Sequence, residues 1–218
     1  MVLVKPVELV VTEPRSGWND ERRQHYEAIA RRLEDIAGAE VRVTPYLVVG
    51  RLEGVSAVVL SGSFEPWEAH EPRDLAKLGD AVRAYEGPVF GICAGMQLQV
   101  TFAGGSLARV GHLPETGFGP VEVLVDGDLL QGLPPEVSVY KHHTWEIDAL
   151  PDDFRVLARS GECPVEAISA PDRLWWGTQF HPEEFDREHP AGERVLRNFF
   201  ELAGSSADGR RPLLPSSP

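Results

Sequence analysis

PVFGICAGMQL, residues 88–98, is an apolar run that passes directly into a helical pattern, with Cys93 at the junction. PVFGIC reads as a strand and AGMQLQVTFAGG as the helix that follows. Gly91 and Gly95 flank the cysteine at a spacing of two, as a sharp strand-to-helix turn requires where the backbone bends and neighbouring chains come close. Such a turn presents the thiol at a helix N-terminus, whose dipole favours a nucleophilic thiolate. In a parallel sheet it also lies at the carboxyl end of a strand, where ligand sites form. On the pentapeptide alone, a buried space-filling cysteine is an equal alternative.

The flanking sequence supplies the sheet. VELVVT (7–12) reads as a first strand buried on both faces. NDERRQHYEAIARRLEDIAGA (19–39) carries Tyr26, Ile29, Leu33 and Ile36 at helical spacing, with Asn19 or Asp20 as cap and Gly38 as stop. EVRVTPYLV (40–48) and VSAVVLSGS (55–63) read as strands, and PRDLAKLGDAVRAYEG (72–87) as a helix with Pro72 in its first turn. This alternation implies a parallel sheet covered by helices. From about 106 to 180 the pattern changes. PVEVLV, SVYKHHTWEI, PVEAISA and LWWGTQF are short strand-like pieces between Gly, Pro and Asp turns, expected to add antiparallel strands to the sheet. AGERVLRNFFELA (191–203) closes the fold as a helix. The Ser-, Pro- and Gly-rich residues 204–218 are expected to be a disordered tail, leaving 1–203 as one domain.

The 218 residues include 21 Lys and Arg against 34 Asp and Glu, a net charge of −13. That balance argues against a nucleic-acid partner, which needs clustered cations. Two cysteines cannot form a disulfide framework, and Cys93 and Cys163 lack metal-ligand spacing. Cys163, beside Pro164, reads as structural. His142 and His143 are adjacent, so on a strand they face opposite sides and do not make a metal pair. No metal or cofactor is expected. No apolar stretch approaches the ~18 residues of a membrane span. The N-terminus lacks the h-region and cleavage site of a secretory signal, so a cytoplasmic location is expected.

A nucleophilic cysteine needs a base within reach, and the base needs an acceptor that fixes its tautomer. WWGTQFHPEE (175–184) offers both: His181 follows an apolar strand, and Glu183 lies two residues on, on the same face if the segment is extended.

GICAGMQ together with GTQFHPE resembles the class I, triad-type (Cys-His-Glu) glutamine amidotransferases, over roughly residues 7–203. The resemblance implies a flavodoxin-like three-layer α/β sandwich with an antiparallel extension. It implies Cys93 as nucleophile, His181 as base and then acid, and Glu183 as its orienting group. It further implies an oxyanion hole at Gly62, Ser63 and Ala94, and substrate contacts from Gln97, His143, Thr144 and Trp145. The implied reaction is hydrolysis of the glutamine amide through a γ-glutamyl thioester, with ammonia passed to a synthase on a separate chain. A stand-alone hydrolase of γ-glutamyl conjugates and a catalytically weak binding module are the alternatives. One departure stands out: the family usually has two glycines where this chain has Gly62-Ser63, followed by Phe64 rather than proline. A serine there would be strained by ~1–2 kcal/mol if the position needed a positive φ.

Overall fold

A computed structural model of the protein describes residues 3–111 and 116–207. Its centre is a nine-stranded sheet. The strands β1 (Val7–Val11), β2 (Val41–Pro45), β3 (Ala57–Leu60), β4 (Val89–Ile92) and β11 (Trp175–Thr178) form its parallel part, in the order β2-β1-β3-β4-β11. Antiparallel strands β10 (Ala167–Ala170), β9 (Arg155–Arg159), β6 (Gly117–Val123) and β7 (Glu136–Lys141) continue it beyond β11.

Helices cover both faces, as the doubly apolar strands require. Helices α1 (Asp20–Ala37) and α4 (Ala191–Ala207) bury Tyr26, Leu33, Val195 and Phe199 against Leu9, Val59, Phe90 and Trp176. Helices α2 (Pro72–Ala84) and α3 (Ala94–Phe102) bury Leu78, Val82, Met96 and Val100 against Val10, Val58, Val89 and Trp175. Trp175 and Trp176 thus serve opposite cores, as the two-residue period of a strand dictates. The α1 ends follow their caps: Asn19 Oδ1 accepts from the Arg22 N–H at 2.9 Å, and Gly38 closes the helix at φ 64°.

The structure departs from the sequence reading in several places. LWWGTQF is not part of the antiparallel extension: β11 pairs parallel with β4 and turns only its other edge to β10. SVYKHHTWEI is two strands, broken at residues 142–144. Its second half, β8 (Trp145–Ala149), leaves the main sheet and pairs with the unforeseen β5 (Ser106–Arg109). The second strand stops at Pro45 and gives way to a 3-10 turn at Tyr46–Val48, because proline ends the donor ladder. The closing helix runs on to Ala207, four residues into the segment expected to be tail. Ser205 and Ser206 sit within it by donating their hydroxyls to the Glu201 and Leu202 carbonyls. Residues 208–218, the rest of that expected tail, lie outside the described residues. Among the described residues no helix is long and apolar enough to cross a membrane.

Three buried titratable groups contribute to how stability responds to acid. Burial holds His70 and His143 down to about 4 and pushes Glu166 up to about 7. Between pH 6.5 and 4.5 the unfolded chain takes up two histidine protons that the native state refuses. Over the same range native Glu166 keeps one proton that the unfolded chain releases, so these groups together leave a net uptake of one proton on unfolding. Stability therefore falls as pH falls, by about 1.4 kcal/mol per pH unit from these groups. Glu166→Gln removes the opposing proton and is expected to double that slope. Urea unfolding of both proteins at pH 6.5, 5.5 and 4.5 measures it, and identical slopes would exclude the buried-acid account.

Candidate active site

Three neighbouring parallel strands end together, and their registers assemble the site. Leu60 of β3 lies opposite Gly91 of β4, and Ile92 lies opposite Thr178 of β11. The residues after these strand ends, Gly62, Cys93 and Gln179 to His181, therefore converge at the carboxyl edge of the sheet, where this fold forms ligand sites.

Cys93 is the corner itself. Its φ of 50° and ψ of −107° lie in a region that a residue with a Cβ rarely adopts, a cost of about 1–3 kcal/mol. The corner is held by its N–H donating to the Thr178 carbonyl at 2.7 Å and by Gln97 N–H donating to the Cys93 carbonyl at 3.1 Å. The flanking glycines are a steric necessity. A Cβ on Gly95 would come within 2.3 Å of the Leu60 carbonyl oxygen, and one on Gly91 within 2.4 Å of the Met96 nitrogen. The side chain of Cys93 is mostly buried, and Ala94 opens α3 directly after it.

His181 follows β11 and is anchored by its N–H donating to the Tyr140 carbonyl at 2.8 Å. Its Nδ1 lies 2.9 Å from Glu183 Oε1. The extended segment expected from the sequence is not what joins them. Pro182–Glu184 is a 3-10 turn, and it folds the nearly buried carboxylate back under the ring. Arg32 holds that turn from behind, its guanidinium donating to the Glu183 carbonyl. Burial alone would lower the His181 pKa, but the negative charges of Glu183 and Cys93 outweigh it. The net direction is well above the usual histidine value. His181 Nε2 and Cys93 Sγ approach one common atom, the His142 carbonyl oxygen, at 3.3 and 3.7 Å.

The loop after β3 is oriented by its carbonyl. Gly62 O lies within hydrogen-bond reach of the hydroxyls of Ser61, Thr12 and Tyr26, at 2.7, 2.9 and 3.1 Å. With that carbonyl turned into the protein, a planar trans peptide turns the Ser63 N–H the opposite way. Among the described residues that N–H has no acceptor. Gly62 leaves little room for a side chain, since a Cβ would lie 3.0 Å from His181 Cε1. The strain considered for a serine at 63 does not arise, because Ser63 has no positive φ. Its hydroxyl lies 3.3 Å from Glu13 Oε2, and the same buried carboxylate accepts the Phe64 N–H at 2.8 Å. Phe64 itself lies under the Arg22 guanidinium, 3.5 Å from the ring centroid.

A cavity of about 420 Å³ opens from Cys93 along Ser63, Gln97, Arg109, His143 and Trp145, a usual size for a small-molecule site. His143 is buried, and among the described residues both of its ring nitrogens and the Trp145 indole N–H have no partner. Thr144 is exposed at the rim. Gln97 also lines the cavity, but both of its N–H groups are taken, by the Trp145 carbonyl at 2.6 Å and by Gln179 Oε1 at 3.0 Å. A second cavity, about 470 Å³, lies against Gly62, His142 and His181 on the side of α1.

Sequence reasoning missed Gln179, Trp67, Thr12 and Tyr26. Gln179 stands inside the quoted GTQFHPE motif, and its position there was the one signal for it. The other three had none, since they act through contacts across 30 or more residues. Cys163 is buried, its thiol 3.3 Å from the Val165 carbonyl and pushed up by that burial. His142 and His143 lie in the break between strands. Among the described residues no cluster of His, Cys, Asp and Glu could hold a metal.

Comparison with known proteins identifies the family of the chain. The family model "Glutamine amidotransferase class-I" matches residues 19–203. One subunit of the glutamine-hydrolysing GMP synthase of Thermoplasma acidophilum is 32% identical over 169 residues, 77% of this chain and 82% of that one. The corresponding subunit of Pyrococcus abyssi is 42% identical over 117 residues, covering 54% of this chain and 61% of its own length, so the chain spans about three-fifths of that relative. A crystal structure of a Thermoplasma acidophilum protein described as a GMP synthase subunit superposes with a TM-score of 0.78. It is 28% identical and covers 94% of this chain and 96% of that one. A Thermotoga maritima glutamine amidotransferase shares the fold, with a TM-score of 0.70 at 18% identity over 91% of this chain and 98% of that one. The chain belongs to the class-I glutamine amidotransferase family.

Proposed function

We propose that this protein hydrolyses the side-chain amide of glutamine and supplies the ammonia to a GMP synthase-type subunit on a separate chain. The observation that carries this reading is the meeting, at the carboxyl edge of the sheet, of Cys93 and the Ser63 N–H, unpaired among the described residues, on the 420 Å³ cavity with the His181–Glu183 pair, which lines the adjoining 470 Å³ cavity. An amide is a poor electrophile, so a nucleophile, a proton donor for the departing nitrogen and stabilisation of the oxyanion are all needed.

In this reading Cys93 gives its thiol proton to His181 as Sγ attacks the amide carbon, and Ser63 N–H and Ala94 N–H receive the developing oxyanion. His181 gives its proton to the amide nitrogen. The C–N bond breaks, ammonia departs, and a γ-glutamyl thioester remains. His181 then takes a proton from water, which attacks the thioester, releases glutamate and returns the thiol. Glu183 keeps the imidazole in register throughout and offsets its charge. His143, Trp145 and the backbone near Thr144 are the candidates for holding the amino-acid end of the substrate. The domain is taken as residues 1–203, followed by the short C-terminal segment, and the location as cytoplasmic, where free glutamine and a synthase would be met.

The test is glutamate release from glutamine by the purified chain, alone and with a purified GMP synthase subunit that lacks its own glutaminase. Rates that rise at least tenfold with the partner, with GMP formed from glutamine, are expected. Turnover of γ-glutamyl amines with no glutamate from glutamine in either condition would overturn the proposal.

A further inference from the structure

The hydrogen-bond directions around the nucleophile can be read from the rim of the cavity inward. Trp67, which follows the Gly62–Ser63 loop in a short 3-10 turn, points its indole N–H at Gln97 Oε1, 3.0 Å away. An indole nitrogen only donates, and the Trp145 carbonyl, 2.6 Å from Gln97 Nε2, only accepts. These two one-way partners leave the Gln97 carboxamide a single orientation. Its second N–H then faces Gln179, which must present its oxygen, at 3.0 Å. Gln179 is fully buried, and with its oxygen committed it turns its NH₂ to Cys93 Sγ at 3.4 Å. The parallel register of β4 and β11 sets these two residues side by side, since Cys93 and Gln179 each follow directly on the paired Ile92 and Thr178.

We infer that Gln179 is a further catalytic residue, donating an N–H to the attacking sulfur, and that Gln97 and Trp67 are positioning residues that hold it in that orientation. This rests on the reading of Cys93 as the nucleophile. The ionised sulfur has only lone pairs to offer, so a fixed N–H at its side matches the reactive form, whereas a carboxamide oxygen there would repel it. Gln97 in this chain then acts through Gln179. With both N–H groups taken, Gln97 can offer a substrate only the second lone pair of its Oε1.

The experiment measures alkylation of Cys93 by iodoacetamide at pH 7, located by peptide mass, beside kcat and KM for glutamine. Gln179→Leu is expected to slow alkylation by about tenfold or more and to lower kcat by a similar factor, the usual weight of a hydrogen bond to a charged group. Trp67→Phe keeps an aromatic ring beside His70 and loses the N–H together with part of the indole. It serves as the variant least able to disturb folding, and a fall of about threefold in both readouts is expected. Gln97→Leu should lower kcat with KM within about twofold. Alkylation and kcat within twofold of the parent in Gln179→Leu and Trp67→Phe would overturn the inference, as would a Gln97→Leu variant with raised KM and unchanged kcat. Alkylation needs no glutamine turnover, so failure of the glutaminase reading itself would appear separately, as activity surviving in Cys93→Ala.

Discussion

Cys93→Ala is expected to reduce glutamate release to background, a loss of more than about 10⁴-fold, without unfolding the protein. The reason is geometric. Cys93 Sγ is the only side-chain atom at this corner that can form a thioester, and the remaining groups can bind an amide but not attack it. Alanine keeps the Cβ and tolerates φ 50° no worse than cysteine, so the corner survives. Losing one partly packed sulfur costs roughly 1 kcal/mol of stability. Glutamate release measured against thermal unfolding separates the two effects. A glutamine-mimicking electrophile should label the parent protein at Cys93 and leave the variant untouched. Substantial activity in the variant would sink the mechanism.

Glu183→Ala is expected to lower kcat by about 10²–10³-fold while KM changes little. His181 is held by one hydrogen bond through Nδ1 and by the charge of a carboxylate only 4% exposed. Removing Glu183 frees the ring to rotate and removes the first of the charges that oppose burial. The His181 pKa then falls, and the limb of the pH–rate profile that reports it moves to lower pH. Glu183→Gln restores an acceptor without the charge. It should recover part of the rate and leave the pH limb displaced, which distinguishes orientation from electrostatics. Near-parental activity in Glu183→Ala would remove the orienting role and leave Cys93 as nucleophile intact.

The parallel half of the fold was legible because each of its parts carries a local signal. The first strand, α1 with its Asn19 cap and Gly38 stop, and the strand-to-helix turn at Cys93 all follow from period, capping and small-residue spacing. The antiparallel half was less so. A run such as SVYKHHTWEI alternates well enough to be one strand, and only the geometry at residues 142–144 breaks it into two that join different sheets. Nor could LWWGTQF reveal its neighbour. β11 lies beside β4, more than 80 residues away in sequence, and pairing at that distance leaves no local mark. The Gly62-Ser63 departure shows the same limit. Composition raised the question of strain, but the answer lay in the folded backbone, where Ser63 has no positive φ.

The sequence by itself determined the chemical inventory of this protein: a cysteine between glycines at a strand-to-helix turn, and a His-x-Glu after an apolar strand. Those residue types at those spacings follow from local backbone geometry, which is why they could be read without a fold. Only the tertiary structure decided which hydrogen faces which acceptor. It turned His181 and Glu183 together through a 3-10 turn, aimed Ser63 N–H by holding the neighbouring carbonyl, and oriented Gln179 toward Cys93 through Gln97 and Trp67. Hydrogen-bond direction depends on partners brought together by sheet register across the whole chain, and PVFGICAGMQL contains only Cys93 and Gln97 of them.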